Sequence, residues 1–568
     1  MIKDCGTHLL SRRSFLRGTS RFAVASAIVS SSLGVAGLMR ASQSMASTEG
    51  YKALVFVFLN GGNDSYNTFA PLGSSPLRTN YEANRGVLGL SQASLLELNI
   101  QTPVNVYGDL ESSSFGIHPE CTHLADMFNN GELAVMCNIG NLVAPVTRDQ
   151  YMGNTTQSVS LPPKLFSHSD QQRQFQSEPT SRYSYGWGGR LAELLTSYNT
   201  NPLISPLISL AGLNPFQVTL EGEINPYTLG NEGIVPLKRF EGARSQMVTN
   251  YMATIDDSAH LMAQKYTDVF NSATVAQEII ESAFSTAENS GVNFDDIFTN
   301  AGVESGSVIG NRLKTVAKMI KGRSQESNKR PIYFVEMNGF DQHANMLPNH
   351  GNQMRELNAA LKGFRDCLVE QSDYDKVLTY VGSEFARTLT PNGNDPSTSG
   401  SDHAWSGHAF AFGEMIDGGK FFGTHPDLEL GSQTHWTIEF WISLNGSVHG
   451  DYDVVLGKGS GTGNNYEYYI EVMSDNTLDF LTTTAGSAWD FQQQITPVLQ
   501  HDSWYHIALV RNGSGSNSLK SYVNGQEYGS FTAQNIHTSS YPFGIGYYAG
   551  YHAGLGLHAN ITLSNLRF

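Results

Sequence analysis

Three apolar runs in this chain each end at small or polar residues that lead to acidic residues or histidines. Residues 54–59 (LVFVFL) run into NGGND, residues 332–337 (IYFVEM) into NGFDQH, and residues 377–381 (VLTYV) into GSEFAR. Continuous β-branched and aromatic runs of this length are typical of strands buried on both faces of a parallel sheet. A helical pattern over residues 352–371 completes a β–α–β order, so we predict an α/β domain. Ligands bind where the carboxyl ends of such strands meet.

A Gly- and Ser-rich loop after the third run contains further polar residues in the segment SDHAWSGHAF. The loops and this segment together contain six candidate metal ligands: Asp64, Asp341, His343, Asp402, His403 and His408. Carboxylates combined with neutral imidazoles suit Zn²⁺ or Mn²⁺, and six ligands could hold two ions about 4 Å apart. Taken singly, each residue is equally an ordinary turn or surface residue. The metal hypothesis therefore depends on their joint placement after buried strands.

The N-terminal segment has the form of an export signal. SRRSFLRG places paired Arg12 and Arg13 before two apolar residues, a mildly apolar run follows, and Ser44–Ala46 offers a cleavage site. This pattern predicts a twin-arginine signal peptide over residues 1–46. The alternative, a transmembrane anchor, needs a longer and more apolar run. We therefore expect a periplasmic or secreted protein with no transmembrane anchor in the mature chain.

Charge and cysteine content exclude some classes of partner. Lysine and arginine number 35 against 52 acidic residues, for a net charge of −17, and a surface this acidic repels nucleic acid and anionic lipid. Beyond the predicted signal the chain has Cys121, Cys137 and Cys367, with no CxxC spacing, so a zinc–thiolate site is disfavoured. A Cys121–Cys137 disulfide is compatible with an oxidising compartment.

The C-terminal quarter changes to short alternating strands separated by Gly, Asn and Ser turns. TIEFWISL, YEYYIEVM, TLDFLTT, WYHIALVRNG, LKSYVNGQEY and ITLSNLRF follow one another with no long helical pattern between them. This spacing predicts an all-β sandwich. We expect alternating aromatics such as Trp441 and Trp504 to belong to its core, whereas GYYAGYHAG either lines a sugar-binding face or forms a turn.

Several motifs over about residues 50–425 resemble, in order, an exported bacterial family known as domain-of-unknown-function 1501. They include KALVFVFLNGGNDSYNTFAPL, LPPKLFSHSDQQ, GFDQHA, SEFARTLTPNG and DHAWSGHAF. That family is similar to the alkaline phosphatase/sulfatase superfamily. The resemblance therefore implies an alkaline-phosphatase-like α/β sandwich with a mostly parallel sheet and a two-metal pocket.

The resemblance also implies roles for individual residues. It assigns Asp64, Asp402 and His403 to one ion, and Asp341, His343 and His408 to the other. The superfamily usually spaces the Asp and His of the second set further apart than this chain does. Glu384 would be a further ligand and Arg387 an anion-binding group; the alternative for both is a buried ion pair.

Superfamily enzymes attack with a nucleophile at the start of a helix, where the helix dipole favours an anion. Ser167, with His168 beside it, is the first candidate in this chain, and Thr147 is the second. Ser167 is equally suited to cap a helix. Neither Cys121 nor Cys137 lies in the CxPxR setting that formylglycine formation requires, so that route to sulfatase chemistry is disfavoured.

Residues 432–568 resemble the laminin-G-like/concanavalin A-like jelly rolls, which implies glycan or protein ligands, in some cases bound through Ca²⁺. The predicted function is an exported, metal-dependent hydrolase of phosphate or sulfate esters, carried to a glycan or surface by its β-domain. The expected partners are an anionic ester substrate or a glycan. The alternative is a non-catalytic adhesion or carbohydrate-binding protein that retains a structural metal site.

Overall fold

The computed structural model describes most of the chain beyond residue 49. The described residues are 50–100, 114–141, 143, 151–153, 160–177, 185–201, 203–220, 222, 224–233, 242–255, 259–324, 328–422, 430, 435–444, 453–459, 466–537, 543–545 and 561–567. The predicted signal peptide, Thr147 and the GYYAGYHAG segment lie outside these ranges. No helix within them is long and apolar enough to cross a membrane. The chain divides into two compact units between residues 423 and 424.

The first unit contains a large mixed sheet and a small three-stranded one. Its strands are β1 (Ala53–Asn60), β2 (Phe69–Pro71), β3 (Leu96–Leu98), β4 (Phe115–Ile117), β5 (Leu133–Gly140), β6 (Leu207–Ser209), β7 (Tyr227–Thr228), β8 (Ile332–Asn338), β9 (Val377–Gly382), β10 (Ser406–Phe412) and β11 (Lys420–Phe422). The large sheet has the order β11-β5-β10-β9-β1-β8-β6-β7, and β2, β4 and β3 form the small one. Only β10 runs antiparallel to its neighbours in the large sheet, so the predicted α/β class is confirmed with a mixed sheet.

The three apolar runs become the three central strands, because each is buried on both faces. β1 lies between β9 and β8 and is parallel to both, with Leu54 opposite Ile332 and Leu378. On one face Phe56 packs its ring 4.9 Å from the ring centroid of Phe216 and 5.3 Å from that of Tyr380. Each buried side chain of this size stabilises the fold by about 1.5–3 kcal/mol. The parallel packing places the carboxyl ends of β1, β8 and β9 side by side.

Helices pack around this sheet and supply the remaining core. They are α1 (Ser65–Thr68), α2 (Pro76–Arg85), α3 (Thr122–Asn129), α4 (His168–Gln176), α5 (Trp187–Leu194), α6 (Gly242–Met252), α7 (Leu261–Glu288), α8 (Phe294–Asn300), α9 (Val308–Lys321) and α10 (Met346–Glu370). Short 3-10 turns occupy Gly86–Leu88, Gln92–Ser94, Pro215–Gln217 and Tyr374–Lys376. The helix predicted over residues 352–371 is α10, whose apolar positions, such as Leu357 and Leu361, are buried. It packs against α9, α8 and α3.

The second unit consists of antiparallel sheets consistent with a β-sandwich. Its strands are β12 (His435–Leu444), β13 (Asp453–Gly459), β14 (Tyr466–Val472), β15 (Leu478–Thr482), β16 (Phe491–Gln494), β17 (Tyr505–Asn512), β18 (Gly515–Val523), β19 (Gln526–Ala533), β20 (Phe543–Ile545) and β21 (Ile561–Arg567). They form two five-stranded sheets, β19-β18-β17-β12-β21 and β16-β15-β14-β13-β20. Inward side chains such as Phe440, Leu456 and Ile470 share one core.

The prediction that Trp441 and Trp504 belong to this core is wrong, because the two residues are 39% and 44% exposed. In a strand, successive side chains point to opposite faces. Phe440 and Ile442 face the core, so the residue between them faces outward. The alternation was visible in the sequence, but aromatic content alone did not show which face was inside.

Two buried histidines in the first unit predict a loss of stability in acid. The rings of His118 and His350 meet edge to face with their centroids 5.3 Å apart, and the Nε2 of His350 lies 3.1 Å from the Oδ1 of Asn63. Burial lowers the pKa of each imidazole to about 3. The unfolded chain takes up protons below its ordinary histidine pKa, whereas the folded chain does so only near pH 3. The free energy of unfolding therefore keeps its full value above about pH 6.5. Below that pH it falls by about 1.4 kcal/mol per pH unit for each histidine.

We therefore expect His350→Gln to flatten the dependence of the unfolding free energy on pH between 7 and 5. Urea unfolding of the variant and the parent at several pH values measures the two slopes. Equal slopes would contradict a neutral, buried His350.

Candidate metal centre

The candidate site lies where the loops after β1, β8 and β9 touch one another, and two glycines make that contact possible. Gly61, just after β1, has a φ of 122°, and a Cβ there would lie 2.3 Å from the backbone nitrogen of Asp341. A Cβ at Gly400 would lie 2.2 Å from the carbonyl carbon of His343. Any larger residue would push these loops apart. These close contacts therefore bring the side chains of Asp341 and His343 near that of His403.

Three side chains from distant parts of the chain bring possible ligand atoms together. One atom from each of His168, Asp341 and His403 lies within 4.8 Å of the other two. The Oδ1 of Asp341 is 3.3 Å from the Nε2 of His168 and 3.5 Å from the Nε2 of His403. His343 lies beside this group, with its Nε2 3.0 Å from the same Oδ1 and 2.9 Å from the Nε2 of His403. These four residues are the His/Asp cluster.

The protonation of the three imidazoles follows from the partners of their Nδ1 atoms. The Nδ1 of His168 lies 3.0 Å from the Oε1 of Glu384, that of His343 lies 3.0 Å from the Oδ1 of Asp402, and that of His403 lies 2.6 Å from the carbonyl oxygen of Phe166. Carboxylate and carbonyl oxygens only accept hydrogen bonds, so we assign a proton to each Nδ1. Each neutral ring then has its lone pair on Nε2, facing the cluster.

Charge around the cluster favours an ionised carboxylate. Burial raises the pKa of Asp341, but the hydrogen bond and the charge of Arg387 outweigh it, and the pKa falls to about 2. The hydrogen bond to Glu384 raises the pKa of His168 above its ordinary value. Burial lowers the pKa of His403. Asp341 is therefore an anion at neutral pH.

Arg387 lies beneath the cluster and connects its loops. The side chain is fully buried, and its guanidinium donates to the carbonyl oxygens of Gly61 (2.6 Å), Gly62 (3.0 Å), Phe340 (3.0 Å) and Ser401 (3.0 Å) and to the Oδ1 of Asp341 (2.5 Å). The resemblance implied an anion-binding group at this position. In this conformation the guanidinium is closed to solvent and its donors are engaged by the protein itself.

Glu384 and Asp402 lie behind histidines of the cluster. Glu384 is completely buried, and its Oε1 accepts from the backbone nitrogen of Gly61 (2.9 Å) and from Gln172 (3.2 Å) as well as facing His168. Asp402 is exposed and faces the outer ring nitrogen of His343. Carboxylates in these positions orient metal-binding imidazoles and raise their basicity.

Asp64 and His408 are not among the convergent ligand atoms of the cluster. Asp64 is buried in an ion pair with Arg85, whose side chain is also fully buried. His408 lies within β10, and its Nδ1 accepts from the backbone nitrogen of Asn138 at 3.3 Å. Its ring lies near Phe69, and burial lowers its pKa to about 4.

Ser167 immediately precedes α4, next to a member of the cluster. Its hydroxyl donates to the Oδ2 of Asp170 at 2.7 Å, within the first turn of the helix, and makes no side-chain cap to the backbone. Cys121, Cys137 and Cys367 are all buried, free thiols. Among the described residues, only the His/Asp cluster brings together three or more possible ligand atoms from His, Cys, Asp or Glu. The described part of the second unit therefore shows no such group that could bind Ca²⁺.

The fold and the cluster define an α/β protein with a His/Asp centre at the carboxyl edge of its main sheet, followed by a β-sandwich-type unit. Residues 51–436 match the model of the family described as protein of unknown function (DUF1501), and the chain belongs to that family. Residues 417–561 match the Laminin_G_3 model, described as the concanavalin A-like lectin/glucanases superfamily. No curated protein matches the chain.

Some solved structures are similar to parts of the chain at low identity. A Trypanosoma rangeli sialidase in complex with sialic acid is 14% identical over 23% of this chain and 20% of its own, with a TM-score of 0.18. The carbohydrate binding module CBM66 from Bacillus subtilis is 14% identical over 24% of this chain and 74% of its own, with a TM-score of 0.15. Ps i-CgsB in complex with k-i-k-neocarrahexaose is 8% identical over 66% of this chain and 68% of its own, with a TM-score of 0.25. The chain spans about a fifth of the length of the sialidase.

Proposed function

We propose that the first unit is a divalent-metal-dependent hydrolase and that Zn²⁺ is the ion that its donor set fits best. The observation that supports this is the convergence of three Nε2 lone pairs on the carboxylate of Asp341, with each Nδ1 held by an oxygen. A tetrahedral zinc ion with ligand distances of roughly 2.0–2.2 Å separates its ligand atoms by about 3.4 Å. Four of the six separations between the ligand atoms of the cluster, from 2.9 to 3.5 Å, are close to that value.

An unpaired ring nitrogen in the cluster also favours a bound cation. Within the described residues, the Nε2 of His168 is buried and makes no hydrogen bond. Lone pairs that face one another repel unless a cation or a proton lies between them. His168, Asp341, His343 and His403 would hold the ion, and Glu384, Asp402 and the carbonyl of Phe166 would orient its imidazoles. A zinc ion supplies Lewis acidity and lowers the pKa of bound water.

The accessibility of the cluster favours a reaction site over a purely structural one. The side chains of Asp341 and His343 are 49% and 45% exposed, so a substrate can approach from solvent. His168 and Glu384 lie on the inner side and fix the geometry. We propose phosphate or sulfate esters as substrates. Ser167 is the candidate nucleophile, because it directly precedes His168 of the cluster in the sequence. The negative charge of Asp341 would neutralise charge on the bound ion, not charge on the substrate.

Metal content tests the centre directly. Protein purified without chelator and loaded with Zn²⁺ or Mn²⁺ should bind one equivalent, and removal of one ligand in His403→Ala should weaken binding at least about 10- to 100-fold. His123→Ala, which alters a partly buried histidine of α3 outside the cluster, is the control and should bind as the parent does. Equal affinity in His403→Ala and the parent would overturn the centre.

Hydrolysis tests the reaction separately. Zinc-loaded protein should cleave 4-nitrophenyl phosphate or sulfate, and His403→Ala should lose that turnover while His123→Ala keeps it. Zinc binding with no turnover of either ester would refute the proposed hydrolysis of these esters and leave the metal centre in place. Unchanged turnover in Ser167→Ala would remove Ser167 from the mechanism.

We also propose that the second unit binds glycans. The match of residues 417–561 to the concanavalin A-like lectin/glucanases model supports this role. It does not require the metal centre, so the two proposals can fail independently.

A further inference from the structure

The outer face of one sheet in the second unit exposes two tryptophans. Trp441 on β12 is 39% exposed, and Trp504, directly before β17, is 44% exposed. Exposing a tryptophan to water forfeits much of the hydrophobic free energy that its burial provides. Two such residues on one strand pair therefore require an explanation.

The strand register places these residues on the same face. β12 and β17 are antiparallel, with Trp441 opposite His506 and Ile442 opposite Tyr505. Directly opposite residues share a face, and residues two apart on one strand do so as well. Trp504 and His506 therefore lie on the face of Trp441, and the rings of Trp441 and His506 are 5.3 Å apart. Ile442 and Tyr505 face the core side.

A third strand extends the surface. Ala508 lies opposite Tyr522 of β18, so Tyr522 belongs to the same outer face, diagonal to His506. Trp441, Trp504, His506 and Tyr522 together form the outer aromatic face, which spans β12, β17 and β18. Aromatic rings that extend over three neighbouring strands present a broad and nearly flat apolar surface.

Charge on this face selects among possible occupants. The described outward side chains of β12, β17 and β18 include one lysine or arginine, Lys520, which pairs with Glu527 at 2.8 Å. Glu439 lies beside the histidine, with its Oε2 3.7 Å from the Nε2 of His506. Among the described side chains of these three strands, the outer face offers a sulfated, phosphorylated or carboxylated polymer no lysine or arginine besides this paired Lys520. A second copy of this chain, with its net charge of −17, is also disfavoured.

We infer that the outer aromatic face is a binding site for a neutral polysaccharide, whose pyranose rings stack through their C–H faces on Trp441 and Trp504. The inference rests on the proposed glycan binding by the second unit and assigns it a location. The C–H face of a pyranose is apolar and flat and has no charge, which matches the shape and the electrostatics of this surface. His506, opposite Trp441, offers a polar group for the sugar hydroxyls at its margin.

Retardation of the full chain in native gels that contain galactomannan, laminarin or hydroxyethylcellulose tests the site, with polygalacturonate as the acidic arm. At least one neutral polymer should retard the parent, and Trp441→Ala and Trp504→Ala should each weaken the binding at least about tenfold. Tyr528→Ala is the matched control, because this tyrosine is 43% exposed but accepts a hydrogen bond from Gln494 of the other sheet. It should bind as the parent does.

Each outcome decides between the proposals. Binding that survives in both tryptophan variants would overturn the outer aromatic face and leave glycan binding by another surface. A parent that no polymer retards would overturn both the face and the glycan-binding proposal. Retardation by polygalacturonate alone would overturn the neutral-polymer assignment.

Discussion

Arg387→Met is expected to lower the free energy of unfolding of the first unit by about 3–5 kcal/mol, because it removes a fully buried guanidinium and leaves several buried acceptors without their donor. The methionine has a similar length but no donor. The carbonyl oxygens of Gly61, Gly62, Phe340 and Ser401 would lose their guanidinium donor, and Asp341 would lose its nearest cation. Arg387→Lys should be nearly as costly, since one ammonium cannot reach acceptors in five directions.

Chemical unfolding of the full chain, followed by the transition of the first unit, measures this loss. Arg355→Met is the matched control: its exposed bidentate pair with Glu120 should contribute no more than about 1 kcal/mol. Zn²⁺ should restore part of the stability that Arg387→Met loses, because a bound ion returns a positive charge to Asp341. A loss of less than about 1 kcal/mol would show that Arg387 does not hold the three loops together.

The fold of the first unit could be predicted because its central strands are long, apolar and buried on both faces. That pattern has few structural solutions, and it placed the loops after β1, β8 and β9 at one edge. The proximity of Asp341, His343 and His403 could therefore be predicted from the sequence alone. The sequence predicts His168 as a catalytic residue beside Ser167 but not as a member of the cluster, because nothing in the sequence shows that the start of α4 lies against Glu384, more than two hundred residues later.

The outcomes that sequence did not anticipate depend on partners that are distant along the chain or on side-chain direction. The sequence predicts a loop at His408, but this residue lies in β10, the antiparallel strand, where it is partly buried and its ring is near Phe69. Trp441 follows the alternation of β12 outward. Polar residues at the ends of buried strands are therefore good candidates for a site. The rings and carboxylates that contact them can be identified only from the three-dimensional structure.

Asp64 is predicted from the sequence to be a metal ligand but lies in a buried ion pair with Arg85, and Arg85→Leu tests the importance of this pair. Both side chains of this ion pair are fully buried, so the variant leaves a carboxylate in the interior with no cation, at an expected cost of about 3–5 kcal/mol. Burial already raises the pKa of Asp64, an effect that the charge of Arg85 opposes. The variant should therefore bind a proton at Asp64 at higher pH than the parent does, and its deficit should shrink as the pH falls.

The double variant Asp64→Asn/Arg85→Leu separates a structural role of Asp64 from ligation. Removing the charge of Asp64 should recover much of the lost stability, although Arg85 also donates to the carbonyl oxygen of Thr388 at 2.8 Å, so recovery should be incomplete. Zinc stoichiometry should stay at that of the parent, since the His/Asp cluster lies elsewhere. If Asp64→Asn instead lost bound zinc at nearly unchanged stability, Asp64 would be a ligand and the pair with Arg85 would not be its resting state. Because an unpaired buried carboxylate and a missing ligand change different measurements, one pair of variants decides between these roles.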